Sequence, residues 1–166
     1  MTTKFTLFLL LFIIALAIAP ALYGQQSQQT GLPTAPQAAS SFDTPLLKAA
    51  DTGDTVTVQQ PLQNGAHVNA AAKNGITALL VASQEGHADV VKLLLAAGAN
   101  VNAALNNGFT ALMIASQEGH ADVVKLLLAA GANVNAKTND GRTALMIAKR
   151  FGYKNVEELL IRAGAK

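Results

Sequence analysis

The chain has 166 residues, with 12 Lys and Arg, 10 Asp and Glu, three His and no Cys. A net charge of +2 argues against a nucleic-acid partner held by general charge, because such binding depends on many phosphate contacts. The lack of cysteine excludes disulfides, a cysteine nucleophile and a lipid-modified cysteine, so stability has to come from packing.

The first segment is typical of a secretory signal. Lys4 precedes an apolar run over residues 5–19, and the sequence Ala-Pro-Ala that follows offers small residues for a signal peptidase. We therefore expect residues 1–24 to be a signal peptide that is cleaved after Ala21 or Gly24. The alternative is a membrane anchor retained at residues 5–19, although this run is shorter than the roughly 20 apolar residues that span a bilayer.

The next segment, residues 25–41, is rich in Gln, Ser and Pro and has little hydrophobicity. Such a composition predicts a flexible linker, because it offers too little apolar surface to bury. The short basic start, the apolar run and this linker together resemble a bacterial export product. We expect a periplasmic protein, with an extracellular or a membrane-anchored location as the alternatives.

Beyond the linker, the sequence repeats with a period of 33 residues. The block SQEGHADVVKLLLAAGANVNA occurs unchanged at residues 83–103 and at residues 116–136. A fixed period of this length predicts one supersecondary unit that is stacked on copies of itself. We place one repeat domain at 42–166, with repeats at 43–75, 76–108, 109–141 and 142–166.

Each repeat is predicted to hold two short helices. Apolar residues at helical spacing precede Gly86 and Gly98 in the second repeat, and 11 of the 13 glycines recur at helix ends or turn tips. Pro61 interrupts the second helix of the first repeat, so we expect that helix to be short, kinked or displaced. In the last repeat, Glu157 and Arg162 replace apolar or small residues, which predicts a polar outer cap.

These features resemble the ankyrin repeat, a β-turn followed by two antiparallel helices. The family motif T-P-L-H-x-A corresponds to TPLLKA at Thr44, TALLVA at Thr77 and TALMIA at Thr110 and Thr143. Leu or Met replaces the motif histidine, which removes the family's Thr–His hydrogen bond. The resemblance implies an all-α solenoid of four repeats that binds a protein partner. We expect a monomer with no cofactor, metal, nucleic acid or small-molecule substrate.

The resemblance also implies where a partner docks, namely on the turn tips and on the exposed face of the first helices. The tip residues are Lys73, Asn74, Ile76, Asn106, Asn107, Phe109, Asn139, Asp140 and Arg142. The helix residues are Gln84, Glu85, Gln117, Glu118, Arg150 and Phe151. Phe109 is apolar where solubility alone favours a polar residue, so it suggests an interface anchor. The alternative is that its ring packs against the neighbouring hairpin.

No group of residues in the sequence suggests catalysis. His87 and His120 follow helix-ending glycines, where the resemblance implies a structural role, and His67 is expected to be a solvated loop residue. We therefore expect a non-catalytic, exported binding module. The resemblance to exported ankyrin proteins implies that it supports a periplasmic or stress-defence enzyme. The alternatives are an immunity or inhibitor protein against an exported toxin or enzyme, and a secreted effector that binds host proteins.

Overall fold

The computed structural model describes residues 45–166, which contain eight α-helices and one short 3-10 helix. The helices are α1 (Pro45–Thr52), α2 (Thr55–Gln63), α3 (Ala78–Glu85), α4 (Ala88–Ala96), α5 (Ala111–Glu118), α6 (Ala121–Ala129), α7 (Ala144–Phe151) and α8 (Lys154–Arg162). The 3-10 helix covers Lys73–Gly75. The predictions for the signal peptide, the linker and Thr44 fall outside the described residues. Within residues 45–166, no helix is both long and apolar enough to cross a membrane.

The eight helices form four pairs that repeat with the period of the sequence. Each first helix has eight residues and each second helix has nine. First helices pack on first helices along the series α1, α3, α5 and α7, and second helices pack on second helices in the same way. The predicted all-α solenoid of helix pairs is therefore confirmed.

A threonine at the start and a glycine at the end set the bounds of the first helices. The hydroxyl oxygens of Thr77, Thr110 and Thr143 accept a hydrogen bond from the backbone N–H three residues later, at 3.4 Å in each case. This satisfies one of the free N–H groups of the first turn, even without the motif histidine. At the other end, Gly86 and its equivalents adopt a left-handed backbone, and all 11 repeat glycines have the positive φ that the sequence predicts.

The core runs continuously between the pairs. Leu94, Leu127 and Leu160 occupy the same place in the second helix of three successive repeats, and all three are completely buried. Because each repeat covers an apolar face of the one before it, burial depends on neighbours in the stack rather than on a single central core.

The prediction that the helix containing Pro61 is short was wrong. α2 has nine residues, as its equivalents do, and it runs through Pro61 without a break while packing on α1 and α4. Asp54 caps its first turn by accepting the N–H of Val56, and Val58 is completely buried. This cap and this contact hold the helix in place, although the proline removes one backbone hydrogen bond.

The prediction of a polar outer cap holds for Arg162 and was wrong for Glu157. The Arg162 side chain is 80% exposed, whereas Glu157 is only 8% exposed and its carboxylate lies 3.4 Å from Lys154 Nζ. No described helix lies beyond α8, and α8 itself packs on α7 and α6. Apolar side chains are exposed at this end instead, among them Met146 and Ile161.

Candidate partner-binding surface

The predicted tip residues form one continuous edge, because successive tips are hydrogen-bonded to each other. The N–H of Asn106 donates to the carbonyl of Asn74 at 3.0 Å, and the N–H of Asn139 donates to the carbonyl of Asn107 at 3.0 Å. The Asn139 side chain adds a bond to the carbonyl of Asn106, also at 3.0 Å. These bonds fix the spacing of neighbouring tips.

Each tip also closes on itself in the same way. A backbone N–H donates to the carbonyl four residues later in the segments 72–76, 105–109 and 138–142, at 2.8 to 2.9 Å. In the middle tip the Asn107 side chain accepts the N–H of Phe109 at 3.2 Å. The tips are thus rigid hairpins, and several of the predicted site residues there have a structural role in addition to any role in binding.

Phe109 packs against the neighbouring hairpin, which is the alternative that the sequence left open. Its ring is partly buried against the core, and the Arg142 guanidinium lies over it, 5.1 Å from the ring centroid. Arg142 Nε lies 2.7 Å from the Asp140 carboxylate, which also accepts the Thr138 hydroxyl. The hydrogen bond from Thr138 is the largest effect and lowers the pKa of Asp140, burial opposes it, and the hydrogen bond and charge of Arg142 lower the pKa further.

The predicted helix residues lie at the carboxyl ends of α3, α5 and α7, beside the capping glycines. Gln84 donates to Glu85, and Gln117 donates to Glu118, so the second and third repeats present the same amide–carboxylate pair. The last repeat presents the remaining two residues, Arg150 and Phe151, and Phe151 is 51% exposed. The charge along these helix ends therefore changes from negative to positive toward the last repeat.

Tips and helix ends meet around a hollow of about 200 Å³. It is lined by Asp51, Ile76, Leu80, Val81, Gln84, Glu85, Leu105 and Ile114. A second, more open hollow of about 340 Å³ lies beside it at the tips and shares Ile76 and Leu105 with it. We call the first the acidic hollow, and we call the surface formed by the tips and the three helix ends the tip face.

Sequence reasoning identified only part of the lining of these hollows. It found Ile76, Gln84 and Glu85 in the acidic hollow, and Asn74, Ile76, Asn106 and Asn107 in the open one. The other predicted residues lie elsewhere on the tip face. It missed Asp51, which comes from the first repeat, and Leu105, which lies just before a predicted tip. An apolar residue at a tip was the signal that identified Ile76, and Leu105 carries the same signal.

Two sets of recurring side chains connect neighbouring repeats. His87 Nε2 lies 3.0 Å from the carbonyl of Asp51, and His120 Nε2 lies 2.9 Å from the carbonyl of Gln84. Each ring also covers the capping glycine of the preceding repeat. The expected structural role of both histidines is confirmed, and in the last repeat the Tyr153 ring takes the same place over Gly119.

Asparagines connect the loops that follow the second helices. Asn69 accepts the N–H of Asn100 at 2.7 Å and donates to the carbonyl of Gly98 at 3.1 Å. Asn102 accepts the N–H of Asn133 one repeat further along, at 2.8 Å. The sequence showed these asparagines as a repeated feature, but it gave no reason to expect a bond between repeats.

Among residues 45–166, no three His, Asp or Glu side chains are grouped so that they could hold a metal ion. Glu85 and Glu118 belong to separate repeats, and each is bonded to its neighbouring glutamine rather than to a common site. The arrangement offers surface, charge and hydrogen-bonding groups for recognition.

Comparison with known families agrees with the architecture. A family model described as ankyrin repeats, three copies, matches residues 22–104 and 99–166. Together these ranges cover well over half of the chain. No curated protein matches it.

Proposed function

The chain belongs to the ankyrin repeat family, and from that premise we propose that it is an exported, non-catalytic module that docks a protein partner on the tip face. Ankyrin repeats form protein–protein interaction modules, and the match covers the whole described solenoid. The finer proposal concerns the docking surface, the compartment and the class of partner.

The docking proposal rests on one observation. The tip face combines a fixed backbone with exposed side chains that differ between repeats. The tip backbones are bonded to each other, so the side chains between them are held at fixed spacing. Partly exposed apolar residues, Ile76 and Leu105, lie next to carboxylates and amides there. A rigid surface loses little entropy when a partner binds, which favours affinity.

Export is the second part of the proposal. It rests on Lys4, the apolar run at residues 5–19 and the small residues that follow them. An exported binding module meets its partner outside the cytoplasm, and as that partner we propose a periplasmic or stress-defence enzyme. Mass spectrometry of the native protein tests the export step. A first residue near Leu22 or Gln25 supports cleavage, and a retained Met1 or Lys4 in a membrane fraction contradicts it.

Site-specific photo-crosslinking tests the docking surface. The crosslinking residue is placed at Asn107 on the tip face, or at Lys125, an exposed residue of α6 that serves as the control. Both positions are exposed, and the change at Asn107 removes one hydrogen bond within the middle tip, that from the N–H of Phe109. We expect one discrete protein to be captured from a periplasmic extract at Asn107 and not at Lys125. Capture at Lys125 alone would move the docking surface to the second helices.

A further inference from the structure

The second and third repeats differ at only six of 33 positions, and these differences are concentrated on the tip face. In the second repeat the six residues are Ile76, Leu80, Val81, Ala104, Leu105 and Asn107. Five of them line one of the two hollows, and Ala104 is the exception. The two repeats thus share their framework and differ where a ligand would make contact.

The acidic hollow combines an apolar floor with a negative rim. Val81 and Ile114 form the floor with Ile76 and Leu105, and the first two are only 8% and 9% exposed. Two carboxylates line the same hollow, those of Asp51 and Glu85, and no basic residue does. In the part of the chain that the structure describes, neither carboxylate forms an ion pair.

One repeat further along, the equivalent residues provide different chemistry. Thr138 takes the place of Leu105, and Gln84 takes the place of Asp51, so one apolar residue of the floor and one of the two charges are lost. Phe109 takes the place of Ile76, but its ring is covered by Arg142. The acidic hollow is therefore a feature of one level of the stack and not a general property of the repeat.

We propose that the acidic hollow receives an Arg or Lys side chain from a segment of the partner protein. This proposal rests on the proposed function and names the chemistry of the residue that is recognised. The aliphatic stem of Arg or Lys suits an apolar floor, and its cationic head suits two carboxylates. The volume of about 200 Å³ lies below the roughly 300–1,000 Å³ of small-molecule pockets, which favours one side chain over a whole metabolite.

A displayed library of random 12-residue peptides provides the probe. It is selected against residues 25–166, with the wild-type protein and each variant immobilised in the same way. We expect enriched peptides to contain an Arg or Lys flanked by apolar residues. For such a peptide, the double change Asp51→Asn and Glu85→Gln should weaken binding by about tenfold, and added salt should weaken it further. The proposal would be overturned if no peptide were enriched, or if the enriched peptides shared no basic residue.

Matched variants separate this hollow from the rest of the tip face. Glu118→Gln removes the equivalent carboxylate one repeat further along, so it should leave the affinity of the peptide unchanged. Leu105→Thr introduces the residue that the third repeat already carries at this place, and it should weaken binding while the melting temperature stays close to wild type. An equal loss from Glu118→Gln and Glu85→Gln would overturn the proposal.

The two proposals can fail separately. If photo-crosslinking at Asn107 captures a partner whose affinity does not depend on Asp51 or Glu85, docking on the tip face stands and the acidic hollow is excluded. Binding of free arginine with the affinity of the selected peptide would also overturn the proposal, because the hollow would then recognise a small molecule rather than a protein segment.

Discussion

The third and the last repeats contain the same six residues, TALMIA, in very different surroundings. Met113 in the third repeat is 1% exposed, whereas Met146 at the same place in the last repeat is 54% exposed. Both first helices have eight residues, and both are capped by a threonine hydroxyl at 3.4 Å. The local structure is thus the same, and only the neighbouring repeat differs.

This difference shows that the neighbouring repeat, and not the sequence of the repeat itself, determines whether a residue at this position is buried. Met113 is covered because α5 packs on α7, while no described helix covers Met146. The opposite holds for exposed side chains on the tip face, which no neighbouring repeat covers. Several side chains of this face are exposed, such as that of Asn107, so these are free to differ between repeats whose framework is identical.

The largest expected effect on stability concerns the pair Met113 and Met146. Met113→Ala should lower the free energy of unfolding by about 2–5 kcal/mol, because it removes a buried side chain between two repeats. Met146→Ala should change it by no more than about 0.5 kcal/mol, as expected for an exposed residue. Urea unfolding of the two variants measures both values. Equal losses would mean that Met146 is covered in solution.

The glycines offer a second comparison with a slightly smaller effect. Gly86 and Gly98 both have a left-handed backbone, so alanine at either place should cost roughly 1–2 kcal/mol of stability. At Gly86, a Cβ would lie 2.6 Å from the His120 ring, whereas at Gly98 it would meet no atom within 4 Å. Gly86→Ala should therefore cost a further 1–3 kcal/mol or so, as overpacking does. Thermal unfolding checks the difference, and similar losses would show that the histidine ring moves aside freely.

His120→Ala should have a moderate effect. It removes the contact between His120 Nε2 and the Gln84 carbonyl, which connects two repeats, and should cost about 0.5–1.5 kcal/mol. His67→Ala is the control, because His67 is exposed and should contribute within about 0.5 kcal/mol. If urea midpoints of the two variants coincide, the bond between repeats contributes nothing.

The smallest expected effect concerns the stability of the protein at acidic pH. The pKa of Asp140 is lowered in the folded protein, chiefly by the hydrogen bond from Thr138. Its contribution to stability is therefore present above the unfolded value near 3.8 and is lost as the pH falls through the lower folded value. Asp140→Asn, which introduces the amide found in the preceding repeat, should make stability less sensitive to pH below about 4. An unchanged acid profile in urea titrations would contradict this.

The sequence predicted the parts of this molecule that local chemistry determines. The helix pairs and the positive φ of the glycines follow from residues within one repeat, and the period follows from the recurrence of those residues along the sequence. The predictions were wrong where packing outweighs the local preference of the sequence. Pro61 does not shorten α2, because its cap and the buried Val58 hold the helix. Glu157 is buried where α8 packs on α7 and α6, and the sequence alone does not show that contact.

The candidate site was predictable to a similar extent. Ile76 and Glu85 could be identified from an apolar tip and a charged helix end. Asp51 could not, because it reaches the acidic hollow from the first repeat, whose sequence matches the others more loosely. Nor did the sequence indicate that Arg142 covers Phe109, since the contact joins two tips. Residues that meet across repeats need the stack geometry to bring them together.

Native-state hydrogen exchange compares the two copies of TALMIA most directly. The same six residues at 110–115 and 143–148 have matching side chains, so differences in protection report their surroundings rather than their composition. We expect slower exchange at 110–115, because a repeat packs on each side of this segment. Equal protection in the two copies, or slower exchange at 143–148, would contradict the claim that neighbouring repeats determine burial and stability along this solenoid.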